Sequence, residues 1–105
     1  MTKVDFLLHD GLITGFTIMD HAEYGEEGSD ILCAAISSAA YMTTNTITDV
    51  LNICAGIEVK DGYMEVKLEE EDAPKAKTIL DGFKLHIQEL QKEYDKFIMI
   101  KISEV

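Results

Sequence analysis

Apolar and polar residues alternate one for one over residues 63–68. Met64, Val66 and Leu68 fall on one side, Tyr63, Glu65 and Lys67 on the other. A period of two marks a strand with one buried face. Val4 to Leu8 reads as a strand as well. Asp10-Gly11 is a hairpin-turn signal, and Leu12 to Met19 follows as a second strand with Leu12, Phe16 and Ile18 on one face. After residue 28 the period changes. Leu32, Ile36, Ala40, Ile47, Val50 and Cys54 recur in steps of three, four or seven, which predicts one long helix. Ser29 or Asp30 caps its start, and Gly56 is its expected stop. Thr43, Thr44, Asn45 and Thr46 lower helix propensity and mark a place for a break.

A strand pair is expected around Asp61-Gly62. Four acids at 69–72 precede Pro74 and suit the N-terminus of a second helix. That helix carries Ala76, Ile79, Leu80, Phe83, Ile87, Leu90 and Tyr94 on one face. Phe97 to Ile102 closes the chain as a strand. The order is ββαββαβ. It predicts a single α+β domain over residues 1–105, a mostly antiparallel sheet of about five strands with two helices.

Composition narrows the function classes. The 105 residues hold 9 basic and 20 acidic side chains, so the net charge is 9 − 20 = −11. Direct nucleic-acid binding needs clustered Lys and Arg and is not expected; a basic partner is. Two cysteines make no disulfide framework. If residues 33–54 are one helix, Cys33 and Cys54 stand about 30 Å apart and cannot bridge. Reduced thiols in a cytoplasmic protein are the simpler reading. The N-terminus MTKVDFLLHD lacks a signal-peptide pattern, and no apolar run reaches membrane-spanning length.

The stretch DHAEYGEEGSDILCAAIS, residues 20–37, holds the candidate chemistry. Cys33 is expected in the first helical turn, where unpaired amides and the helix dipole favour a thiolate. His21, across a loop with Gly25 and Gly28, could fold back as the base. The free amides could bind a developing oxyanion. Asp30 could orient His21 or only cap the helix, and Ser37, one turn on, could hydrogen-bond near the site. The bland alternatives are a buried structural cysteine, the reading given to Cys54, and polar surface histidines, the reading given to His9 and His86. Metal binding would fall to His21, Cys33, Cys54 and His86, whose spacing matches no zinc pattern. No metal or other cofactor is expected.

These residues carry a resemblance. The block from His21-Ala22 through Gly28, Asp30, Ile31, Cys33, Ala34 and Ala35 to Ser37 resembles the signature of the ribosomal-processing cysteine protease family, Prp. GLITGFTI, DGYMEVKL and EYDKFIMIKI extend the likeness over most of the chain. The resemblance implies a bacterial cytoplasmic endopeptidase, active as a homodimer, with Cys33 as nucleophile and His21 as general base. Its implied substrate is the N-terminally extended precursor of large-subunit ribosomal protein number twenty-seven, a basic partner. The loop with Ala22, Gly25, Gly28 and Ser29 would close over the bound peptide. One departure from the pattern matters: the family's glycine before the histidine is Asp20 here. A carboxylate there could hold an imidazolium and raise its pKa, or alter the backbone that glycine permits. The competing class is a non-catalytic acidic module that binds a basic ribosomal protein or assembly factor.

Overall fold

The computed structural model describes residues 1–20 and 29–105, with backbone alone for 29 and 30. The strands are β1 (Thr2–His9), β2 (Leu12–Asp20), β3 (Ala55–Lys60), β4 (Tyr63–Leu68) and β5 (Ile98–Glu104); the helices are α1 (Ser29–Asn45) and α2 (Lys77–Glu93). One five-stranded sheet runs in the order β3-β4-β2-β1-β5. β1 and β5 are parallel, and the other pairs are antiparallel. The expected ββαββαβ α+β fold is the one formed.

Both helices lie on one face of the sheet. Val4, Phe6, Phe16, Val66 and Ile98 meet Leu32, Ile36 and Ala40 of α1 and Leu80, Phe83 and Ile87 of α2 in a single core. The Phe83 ring stands 5.8 Å from that of Phe6 and 4.8 Å from that of Phe16, so it bridges the two N-terminal strands. Edge-on and tilted aromatic contacts of this kind add to plain burial.

The β1–β2 hairpin contains a bulge that the alternating pattern does not announce. Asp10 and Gly11, at φ 51° and 79°, form the two-residue turn. Next to the turn Leu8 pairs with Ile13, but the following pair is Leu7 with Gly15. Thr14 is the extra residue, and its hydroxyl donates to the Leu7 carbonyl at 3.3 Å. Beyond the bulge Phe6 faces Phe16, Val4 faces Ile18 and Thr2 faces Asp20. Ile13 therefore enters the core in place of Leu12, which corrects the face assigned to Leu12. Gly15 is the residue this crowding requires: a Cβ there would overlap the backbone carbonyl of Val66 on β4.

The first helix is shorter than expected and ends differently. Threonine hydroxyls at 43, 44, 46 and 48 each donate to the carbonyl four residues back. Such side-chain bonds compete with the backbone ladder. The helix does not break at 43–46. It widens into a π turn over Thr46–Val50, with the Leu51 amide on the Thr46 carbonyl at 2.8 Å. Asn52, at φ 55°, then stops it, and the Ile53 amide returns to the Ile47 carbonyl. This is a left-handed terminus made by asparagine, and Gly56 lies inside β3. Ile53 is buried, whereas Val50 and Cys54 are exposed, so neither continues the core stripe and Cys54 is no buried hydrophobe. Before α2, the acidic run Glu70–Ala76 forms a 3₁₀ segment that contains Pro74.

His86 is exposed, as expected of a surface group, but His9 is half-buried and tied down. Its Nδ1 meets the Val105 carbonyl at 2.7 Å and its Nε2 meets Glu70 at 3.0 Å and Asp10 at 3.4 Å. The Val105 hydrogen bond, then the Glu70 charge, raise its pKa above the ordinary 6.5.

Three outcomes follow from this packing. Gly15→Ala should lower stability by about 1–3 kcal/mol in urea titration, because the added methyl must displace β4 backbone. Phe83→Ala should cost about 3–5 kcal/mol in the same assay. Protonated His9 stabilises the fold, so its contribution is complete below pH 6.5 and is lost as pH rises through the higher folded value. Thermal melts of wild type and His9→Gln should therefore converge on going from pH 6 to pH 8. Parallel pH profiles would contradict this.

Candidate functional site

The end of the hairpin opposite its turn meets the start of α1. Thr2 and Asp20 are cross-strand partners there, on the same parity as the core residues Val4, Phe6, Phe16 and Ile18. Their side chains therefore point toward the helix layer. Both backbones are pinned. The Thr2 amide donates to the Phe97 carbonyl at 2.8 Å and the Asp20 amide to the Gly62 carbonyl at 2.9 Å. Gly62, at φ 70°, has the close approach that its lack of a side chain allows: a Cβ would come 3.1 Å from the Asp20 carbonyl.

Cys33 comes down onto this pair from α1. It is the fifth residue of the helix, not a first-turn residue as expected, so its own amide is in reach of the Ser29 carbonyl. The amides that a helix leaves without an intrahelical carbonyl belong to the turn before it. The thiol is half-buried. Its Sγ–H donates to Asp20 Oδ2 at 2.8 Å, and Thr2 Oγ1 donates to Asp20 Oδ1 at 3.2 Å. The Thr2 hydroxyl lies 3.9 Å from the sulfur. One carboxylate thus takes a bond at each oxygen, one from the thiol and one from a buried threonine.

Asp20, weighed from sequence as a partner for His21, is here the partner of the thiol. Thr2 was not singled out at all. The hairpin register would have found it, but the bulge shifts that register by one. Counted back from the turn without a bulge, Thr2 would face Met19. Of the other expected site residues, Ser37 is exposed on α1. His21, Ala22, Gly25 and Gly28, and the side chains of Ser29 and Asp30, lie outside the described residues.

Other features lie apart from Cys33. Among the described residues no group of three or more His, Cys, Asp or Glu is placed to hold a metal ion. No described helix is long and apolar enough to cross a membrane. A concavity of about 450 Å³, with Leu7, His9, Thr17, Glu65 and Val105 in its lining, lies near the turn end of the hairpin.

The Prp proteins of Staphylococcus aureus and Bacillus subtilis are ribosomal processing cysteine proteases. The first is 27% identical over 103 residues, covering 95% of this chain and 97% of its own; the second is 26% identical over 96 residues, covering 82% of each. A crystal structure from Streptococcus mutans superposes with a TM-score of 0.88 at 25% identity, over 100% of this chain and 99% of its own. The S. aureus protease in complex with a substrate peptide gives 0.89 at 25% identity, over 98% and 100%. Its complex with a covalently linked product peptide gives 0.85 at 26% identity, over the same shares. The family model for cysteine protease Prp matches residues 1–99, and the chain belongs to that family.

Proposed function

We propose that this chain is an endopeptidase that uses Cys33 as nucleophile and His21 as general base. Its substrate is the precursor of large-subunit ribosomal protein number twenty-seven, from which it removes the N-terminal extension. The observation that carries this reading is the seat of Cys33. A half-buried thiol near the start of a helix is held by hydrogen bonding to a pinned strand pair, and a catalytic sulfur needs such orientation. The S. aureus relative, seen with a substrate peptide and with a covalently linked product peptide, supports a covalent route.

In the reaction the Cys33 S–H bond breaks and its proton passes to the His21 imidazole. The sulfur bonds to the scissile carbonyl carbon. Collapse of the tetrahedral adduct expels the amine, which takes the proton from His21, and water then hydrolyses the thioester. Free amides at the start of α1 are the donors for the oxyanion. Asp30 and Ser37 orient the site, and Ala22, Gly25, Gly28 and Ser29 contribute the peptide-binding loop. The net charge of −11 suits a basic ribosomal precursor. The enzyme works in the cytoplasm as a homodimer, with no nucleic acid or membrane as direct partner. Edge strand β3, which leaves Ile57 and Val59 exposed, has apolar surface for a partner subunit to cover.

Cleavage of a peptide copying the extension tests the reading. Cys33→Ala should lose at least ~10³-fold in kcat/KM while its thermal melt stays within a few degrees of wild type. Cys54→Ser should cleave normally. A Cys33→Ala protein that still cuts the peptide would refute the nucleophile.

A further inference from the structure

We propose that Asp20 controls the nucleophile directly: its carboxylate holds Cys33 as a hydrogen-bonded thiol and so restrains attack until that bond is given up. The proposal rests on the reading of Cys33 as the nucleophile. An ionised carboxylate can only accept hydrogen bonds. At 2.8 Å from the sulfur, Oδ2 is therefore a partner for S–H and not for a bare thiolate. A thiolate in the same place would face a like charge across the same gap. Thr2 donates to Oδ1 at 3.2 Å and fixes the orientation of the carboxylate. The Phe97 and Gly62 carbonyls fix the backbones of Thr2 and Asp20, so the contact belongs to the sheet itself and not to a surface rotamer.

Among the described residues, the other charged groups near this end of the sheet sit on β1, β3, β4 and the adjoining turns. Lys3, opposite Met19, stands on the other face of the sheet. Lys60 pairs with Glu58, and the Tyr63 hydroxyl donates to Glu65. Asp61 lies in the turn beside Gly62, and Asp95 and Lys96 precede Phe97. From α1 the start of the helix dipole favours the thiolate, and Asp30 in the first turn belongs to the same end. Asp20 and the helix thus act on the sulfur in opposite senses. On attack the Sγ–H bond breaks, its proton goes to the His21 imidazole, and the bond to Oδ2 is lost with it.

The pH profile of thiol alkylation tests this without any substrate. With Cys54→Ser as background, one cysteine remains to react with iodoacetamide. Asp20→Asn should move the midpoint of the Cys33 profile down by about one pH unit and raise the rate at pH 7 several-fold. Asp20→Gly should do the same, and covers the case in which the Asn variant does not fold. Superimposable profiles, a slower variant, or a lowered melting temperature with an unmoved midpoint would each overturn the proposal. Peptide cleavage is read separately. A shifted profile in a protein that cuts no peptide would uphold the role of Asp20 and count against the protease reading.

Discussion

The register of the β1–β2 hairpin is the constraint on which the rest of the molecule depends. A two-residue turn at Asp10-Gly11 would by itself pair each residue of β1 with one whose number completes 21. Continued along the strands, that register would set Phe6 against Gly15 and Val4 against Thr17, and the core faces of the two strands would not match. The extra residue at Thr14 moves the sum to 22, so Phe6 meets Phe16 and Val4 meets Ile18. Glycine at 15 lets β4 approach where the bulge has brought the backbones together. Phe83 then has two facing rings to pack between, and α2 has a defined seat.

The same shift builds the site. It brings Thr2 opposite Asp20 on the helix side of the sheet, at the end where α1 begins. Cys33, close to the start of that helix, finds a carboxylate below it and the positive end of the dipole beside it. Few apolar contacts separate the chemistry from the core: Leu32 and Ile36, which flank Cys33 on α1, are both core residues. Position of the thiol and stability of the fold are thus set by the same packing.

Acidic charge is handled differently in different parts of the surface. The run at 69–72 sits at the N-terminal end of a helical segment, where the dipole favours it, and Asp72 pairs with Lys75. Glu70 is also a partner of His9, which links β1, this segment and Val105. Among the described residues, the pairs Lys60–Glu58, Lys77–Asp81 and Lys92–Glu89 are exposed and contribute little each. Stability is carried by the buried core and not by these exposed pairs.

Much of this was legible in the chain. Alternation in β4, the turn at Asp10-Gly11, the apolar face of α2 and the order ββαββαβ follow from periodicity and turn chemistry, because each depends on neighbours within a few residues. The His21 to Ser37 block was legible in another way, as a pattern that a known family shares. Three things were not. The end of α1 depends on a threonine run that widens the ladder and on Asn52 taking a left-handed turn, so Val50 and Cys54, apolar in period, fall off the core. The bulge at Thr14 leaves no local mark, since it is chosen by how β1, β2 and β4 fit together. The bond from Cys33 to Asp20 joins residues on different elements, and its existence rests on that bulge. Local sequence decided which elements form and which residues are chemically able to act. Tertiary packing decided which of those residues meet, because a one-residue change of register exchanges the two faces of a strand.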